Sequence, residues 1–174
     1  VGYIDIWEMY PLDLEEFFGA VGVSDTVMDH IKESWNGMKP VDEVVHAKLM
    51  SIVRLYLIVG GMPAVVEKYL ETNNLQSVME VQKAILRLYE VDIAKYDPNR
   101  KLYIREIFNL IPPELNAKNK RFILKNLNEK IKFSRYENSF IWLKDAGVAL
   151  PTFSVEAPTS PLALSHSRNL FKLF

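Results

Sequence analysis

A run of apolar residues at helical spacing constrains the fold of this 174-residue chain more than any other feature. Between residues 42 and 59 the apolar side chains return every three or four positions, the period of one helix face. Asp42 stands where it can cap the first turn of such a helix. Gly60 and Gly61 then end it, and Pro63 stands where a new helix begins. The middle of the chain therefore predicts two consecutive helices.

Similar patterns extend the helical prediction along the whole chain. In the first part we expect a strand at residues 3–9 and further helices at 12–21, 24–35, 63–70 and 75–95. In the second part we expect helices at 102–110, 123–128 and 134–146, then paired strands at 148–155 and 162–165, and a last strand at 170–174. Pro112 and Pro113 are expected to stop the first of these helices. Three helices followed by a β-hairpin is the order of a winged helix-turn-helix, so the predicted fold is mainly α with a small hairpin.

The charge of the chain is divided between its two parts. Residues 1–98 hold eight Lys and Arg against sixteen Asp and Glu, a net charge of −8, and residues 99–174 hold thirteen against six, a net charge of +7. The sign changes at the turn-forming sequence Asp97-Pro98-Asn99. This asymmetry indicates two units with different surfaces, of which the second is suited to a polyanion.

Several kinds of site lack their residues in this sequence. It contains no Gly-x-x-x-x-Gly-Lys-Ser/Thr loop and no Gly-x-Gly-x-x-Gly, so we expect no nucleotide hydrolysis by this chain alone. It has no Cys and three widely spaced His, and no paired carboxylates or nucleophile–base pair stand out, so we expect no metal site and no catalytic residue. No apolar run approaches the roughly 18 residues of a membrane span. We expect a cytoplasmic chain that contacts no membrane.

Residues 1–17 contain the phrase Tyr10-Pro11-Leu12 followed by Glu16-Phe17, and residues 54–66 contain Gly60-Gly61-Met62-Pro63. The two segments resemble parts of a large group of bacterial and archaeal AAA-type ATPases. Residues 1–17 are similar to the strand and phrase that close the ATPase core, and residues 54–66 resemble the Gly-Gly-x-Pro signature of the helical lid. Residues 167–174 resemble the start of the C-terminal domain of those ATPases, which is uncharacterised and nuclease-like.

The resemblance implies that the chain is an interior fragment of a longer ATPase, and its start at Val1 without an initiator Met agrees with this expectation. The implied parts are the final strand of an absent ATPase core (1–10), a helical lid domain (11–98), a winged-helix domain (99–165) and the start of an absent C-terminal domain (166–174). ATP and Mg would be bound by the parent protein, whose core and C-terminal domain would be the partners of this chain.

The same resemblance gives the Gly-Gly-x-Pro turn a role near the nucleotide. Gly60, Gly61 and Pro63 would lie close to the adenine in the parent protein, since glycines let the backbone approach a flat ring and proline offers a rigid apolar face. The residue types also suit a simpler role, in which the turn ends one helix and starts the next.

The stretch 118–135 carries seven Lys and Arg and one Glu, a net charge of +6. In the predicted winged helix these cations precede the recognition helix, where cations typically contact phosphates. The predicted DNA or phosphate contacts are Lys118, Lys120, Arg121, Lys125, Lys132, Arg135 and Asn138. The recognition helix mixes cations with Glu137 and Asp145, which lowers the base readout that we expect from it. Winged helices in ATPases also serve as internal packing modules, so this surface has two interpretations.

Two hypotheses of different classes follow. In one, the chain is the lid and winged helix of an AAA-type ATPase and couples nucleotide state to a partner or to DNA. In the other, it is a free-standing winged-helix DNA-binding protein whose acidic half is a dimerisation module. The segments 3–9 and 170–174 favour the ATPase hypothesis, because they have the pattern of strands taken from sheets that this chain lacks. We expect them to pair with each other, to pair with another copy in a homo-oligomer, or to be poorly ordered.

Overall fold

The computed structural model describes residues 3–5, 7, 9–96, 101–127, 136–162 and 165–174. It divides the chain into two compact units, residues 1–86 and residues 87–174. The helices are α1 (Leu14–Ala20), α2 (Asp25–Asn36), α3 (Glu43–Val59), α4 (Pro63–Thr72), α5 (Leu75–Tyr96), α6 (Lys101–Asn116) and α7 (Glu137–Asp145). A short 3-10 helix (Leu124–Asn126) precedes α7, and the strands β1 (Pro151–Val155) and β2 (His166–Leu173) follow it. The mainly α class with a small antiparallel sheet is therefore confirmed.

The boundary between the units lies inside α5, after Leu86, whereas the sequence predicted it at residues 97–99. Residues 97–100 themselves lie outside the described part of the chain. The last turns of α5 belong to the second unit because Ile93 is buried in that unit's core, with Ile104 and Ile107 of α6. Helical periodicity is the same on both sides of Leu86, so the sequence pattern gives no sign of this division.

The start of α1 shows how local sequence builds the core of the first unit. The Asp13 carboxylate accepts the backbone N–H of Glu16 at 2.8 Å, and the Glu16 carboxylate accepts the backbone N–H of Asp13 at 2.9 Å. This capping box satisfies two N–H groups that a helix start leaves free. It fixes α1 so that Phe17 is fully buried, in a cluster with Val59 and Val66 among others. Acidic side chains in a first helical turn are also stabilised by the helix dipole, so Asp13 and Glu16 serve the helix.

α6 passes through Pro112 and Pro113, so the predicted end at Leu110 was wrong. The prediction followed from the missing proline N–H, which deprives a carbonyl one turn earlier of its partner. Burial of one helix face offsets that loss. The buried residues of α6 are Ile104, Ile107, Ile111 and Glu114. Because this face continues past both prolines, the helix ends only at Asn116, where the N–H of the next residue bonds to the Pro113 carbonyl at 3.1 Å.

β1 pairs antiparallel with β2, and not with residues 162–165 as predicted. Phe153 lies opposite Phe171, and the register shifts after Phe153 in a bulge. Residues 156–165 form the connection, which Ser165 closes by donating its hydroxyl hydrogen to the Ala157 carbonyl at 3.0 Å. α6, the 3-10 helix, α7 and the hairpin follow one another in the predicted order, although the second predicted helix, at 123–128, is only a 3-10 helix at Leu124–Asn126. The winged helix itself stays a prediction. Residues 128–135, which include the start of the helix predicted at 134–146, lie outside the described part of the chain.

β2 is neither unpaired nor external to the second unit, which corrects the prediction for residues 170–174. Phe171 and Leu173 are buried in the core of the second unit, and Lys172 between them is partly exposed. This alternation is the pattern of a strand with one face on a core. The sequence did not reveal it because the pairing partner lies across the connection 156–165, beyond the reach of any local pattern.

The strand predicted at residues 3–9 is absent from the described residues of that segment. Residues 3–5, 7 and 9 have no regular structure, and the side chains of Tyr3, Ile4 and Trp7 are almost fully exposed. The sheet formed by the described residues has two strands, both in the second unit. A β-rich segment forms a strand only where a partner strand provides the hydrogen bonds, and neither described strand pairs with this segment.

Candidate nucleic-acid interface

The Gly-Gly-x-Pro turn packs against the chain's own backbone in the first unit. Gly60 ends α3 with a φ of 77°, a value that favours glycine. Gly61 is buried, and its carbonyl accepts the backbone N–H of Leu12 at 2.7 Å. A Cβ at Gly61 would overlap the Leu12 carbonyl oxygen, which also accepts the Tyr56 hydroxyl at 2.7 Å. The space over Gly61 is therefore filled by the N-terminal segment.

Pro63 occupies the first position of α4 and is exposed. With Leu12 and Leu70 it lines an open, mostly apolar cavity of about 600 Å³. The turn thus has the structural role of ending α3 and starting α4. The role near a nucleotide that the resemblance implies for Gly60, Gly61 and Pro63 stays a prediction.

The basic turn, which we define as residues 117–121, carries three of the predicted phosphate contacts. Lys118, Lys120 and Arg121 are all exposed. The Lys120 N–H donates to the Ala117 carbonyl at 3.0 Å, and the Arg121 N–H donates to the Asn119 side-chain oxygen at 3.3 Å. These local hydrogen bonds fix the backbone of the turn, so the three cations are carried by an ordered main chain.

Glu114 anchors the segment that follows the basic turn. Its carboxylate is buried at the end of α6, with 5% of the residue exposed. One oxygen accepts the Ile123 N–H at 3.2 Å, and the other accepts the Asn126 side-chain amide at 2.6 Å. A buried carboxylate is unfavourable unless it is hydrogen-bonded, and these two bonds satisfy that requirement. They hold the 3-10 helix, which bears the exposed Lys125, against α6.

Phe122 anchors the other side of the basic turn in the aromatic core. Its ring stacks on Phe171 with centroids 5.7 Å apart and meets Phe140 edge-on at 5.5 Å. Its backbone N–H donates to the Phe171 carbonyl at 3.0 Å, so the end of the turn is tied to β2. The basic turn is therefore fixed between α6 on one side and the hairpin on the other.

The exposed face of α7 is chemically mixed. It consists of Glu137, Asn138, Ile141, Lys144 and Asp145. Phe140 and Trp142 pack against the core instead. Asn138 is thus available for contact, whereas Lys132 and Arg135 lie outside the described residues. Two acids beside one cation on this face disfavour tight phosphate binding by α7 alone.

Tyr136 fixes the start of α7 through a buried hydrogen bond. Its hydroxyl donates to Glu106 of α6 at 3.0 Å, and 2% of the residue is exposed. Burial, reinforced by the hydrogen bond to Glu106 and by the charge of Glu106, raises the pKa of Tyr136 to about 12. The neutral phenol is the form that fits this environment.

Glu114 and Tyr136 position the candidate interface, and neither was predicted to do so from the sequence. Glu114 had a usable signal, because it falls on the apolar face that passes through Ile107 and Ile111. An acid on a core face needs partners, and the neighbouring segment is where they are found. Tyr136 had no such signal, since its partner lies thirty positions earlier in the chain.

The match to a known family covers both candidate sites. Residues 50–174 match the family described as Domain of unknown function (DUF8612). The chain belongs to this family. The DUF8612 region begins inside α3 and includes the Gly-Gly-x-Pro turn, the basic turn and the hairpin. No curated protein matches the chain, and no solved structure matches it.

Two further findings describe this DUF8612 chain. None of the helices in the described ranges combines the length and the apolar character needed to cross a bilayer. Within the same ranges, no three or more His, Cys, Asp and Glu residues stand together in a way that could hold a metal ion.

Proposed function

We propose that the second unit of this DUF8612 chain binds nucleic acid through phosphate contacts made by the basic turn and the 3-10 helix. The proposal rests on four cations that are exposed and form no described ion pair. Lys118, Lys120, Arg121 and Lys125 are exposed, and none of them forms an ion pair with another residue that the structure describes. Exposed cations on an ordered backbone, without acidic partners, are the expected form of a phosphate-binding surface.

The proposed binding is electrostatic and weakly selective for sequence. Selectivity requires bidentate contacts from side chains in a groove, which are worth roughly 1–3 kcal/mol each. Asn138 is the exposed residue of α7 suited to such a contact, and Glu137 beside it repels phosphate. These residues support phosphate contact by the basic turn and little base readout by α7.

In a larger context, we propose that the chain is the lid and winged-helix part of an AAA-type ATPase in the cytoplasm. ATP and Mg would be bound by the parent protein, and the chain would pass the nucleotide state to nucleic acid or to the C-terminal domain. The support is the order of the resembling segments, with Gly60, Gly61 and Pro63 in the lid. A phosphate-binding loop encoded upstream of Val1 is the expected finding in the reading frame, and its absence there would remove this context.

The binding proposal is tested by removing the four cations together. Lys118, Lys120, Arg121 and Lys125 are replaced by Ala, and binding of a random duplex is measured by fluorescence anisotropy at about 50 mM salt. The matched control replaces three Lys and one Arg that are exposed in the first unit: Lys39, Lys48, Lys83 and Arg54. Both variants lose four positive charges, so only the position of the charges differs.

We expect the second-unit variant to lose roughly a hundredfold or more in affinity for every duplex sequence, since it removes four phosphate contacts, while the control binds nearly as the wild type does. An equal loss in both variants would mean that net charge alone matters. No binding by the wild type would mean that this surface is a packing module, as in the competing interpretation.

A further inference from the structure

The backbone conformation of Lys120 is unusual for its residue type. Its φ is 51°, in the left-handed region where the Cβ of an L-residue crowds the backbone. Met38 and Asn73, just after α2 and α4, also have a positive φ. At both places the conformation closes a helix end, since the Lys39 N–H donates to the Ser34 carbonyl at 2.9 Å and the Asn73 N–H donates to the Tyr69 carbonyl at 2.7 Å. Lysine has no short polar group that could favour the left-handed region by a local hydrogen bond.

The basic turn imposes this conformation on whichever residue stands at position 120. The N–H of Lys120 is held by the Ala117 carbonyl, and the N–H of Arg121 is held by the Asn119 side chain. Phe122 then enters the aromatic core. With both sides fixed, the backbone at position 120 favours glycine, which has no Cβ to crowd.

The side chain of Lys120 makes no stabilising contact with the residues that the structure describes. It is exposed, and in the described part of the chain it takes part in no ion pair and no side-chain hydrogen bond. Packing and electrostatics within the unit therefore do not account for a lysine at this position.

We infer that the ammonium group of Lys120 contacts a nucleic-acid phosphate at the centre of the basic turn, and that this contact accounts for a lysine at a position suited to glycine. The inference rests on the proposed function and names the residue on which that function depends most directly. Strained backbone positions are found where a binding surface requires a particular side chain. Residues that serve binding also tend to lower stability.

The test compares Lys120→Gly with Lys118→Gly and Lys120→Arg. Lys118→Gly removes the same charge from the same turn at a position without a positive φ, and Lys120→Arg keeps both the charge and the Cβ. We expect Lys120→Gly to raise the Tm by about 2–4 °C and Lys118→Gly to lower it. We expect Lys120→Gly to weaken binding of a random duplex roughly three- to tenfold at about 50 mM salt and to reduce the salt slope by about 0.9. Lys120→Arg should bind as the wild type does.

The outcomes separate the inference from the proposed function. If Lys120→Gly is more stable but binds like the wild type, the inference is overturned and the proposed function stands. If Lys120→Gly is no more stable than Lys118→Gly, there is no strain to explain and the inference is overturned as well. If the wild type does not bind the duplex at all, the proposed function fails and the inference fails with it.

Discussion

Among the described glycines of the first unit, Gly61 has the least room for a side chain. Because a Cβ there would overlap the Leu12 carbonyl, we expect Gly61→Ala to force two backbone segments apart and to cost about 1–3 kcal/mol of unfolding free energy. Gly19 in α1 is the control, since it is exposed and a Cβ there meets nothing within 4 Å. Gly19→Ala should stabilise the unit by up to about 1 kcal/mol. Urea unfolding followed by circular dichroism measures both, and a Gly61→Ala chain as stable as Gly19→Ala would contradict the packing role.

Tyr136 makes the stability of the second unit sensitive to high pH. Its pKa is raised to about 12 in the folded chain, against about 10 in an unfolded chain. Between these values the folded state holds the proton that the unfolded state has lost, so stability is complete below pH 10 and falls as the pH rises toward 12.

The matched variant for this effect is Tyr136→Phe, which keeps the ring and removes the titrating hydroxyl. Near pH 7 we expect it to be less stable than the wild type by about 1 kcal/mol, through loss of the hydrogen bond to Glu106. As the pH rises from 10 to 12 the wild type should lose on the order of 2 kcal/mol more than the variant, which reverses their order. A stability difference that stays constant across this range contradicts the assignment.

Among the elements of the second unit, β2 contributes core residues that were not predicted from the sequence. Phe171 lies among Phe122, Phe140 and Phe153, with ring centroids between 5.6 and 5.7 Å away. We expect Phe171→Ala to destabilise the second unit by about 3–5 kcal/mol. Phe153→Ala, at a ring that is 40% exposed, should cost much less. Thermal unfolding followed by near-ultraviolet circular dichroism measures both, and equal losses would mean that β2 is peripheral.

The helices were predictable from the sequence because their signals are local. Asp42 caps α3 by accepting two backbone N–H groups at 2.9 and 3.3 Å, and Gly60 ends it, as the residue types predict. Contacts between residues that are distant in sequence decide which strand pairs with β1. They also decide that α6 continues through its prolines. In the same way, the exposed cations of the basic turn were predicted, while the anchoring of the turn by Glu114 and Phe122 was not.

At the scale of the whole molecule, the division of charge follows the structural units. Residues 1–86 hold six Lys and Arg against thirteen Asp and Glu, a net charge of −7, and residues 87–174 hold fifteen against nine, a net charge of +6. The structural division lies after Leu86 and not at residues 97–99, but the first unit is still acidic and the second still basic. A basic unit joined to an acidic one is expected to bind a polyanion through one unit while the other repels it.

The salt dependence of duplex binding is the sharpest test of phosphate contact by the second unit. Binding of the intact chain to a random duplex is measured by fluorescence anisotropy from about 50 to 200 mM salt. Four phosphate contacts predict a slope of roughly −3.6 for log K against log salt, which is about a hundredfold loss of affinity over this range. The same slope for unrelated duplex sequences is the predicted result. A slope near zero, or no binding at the lowest salt, would contradict the claim that the second unit is a phosphate-contacting nucleic-acid module.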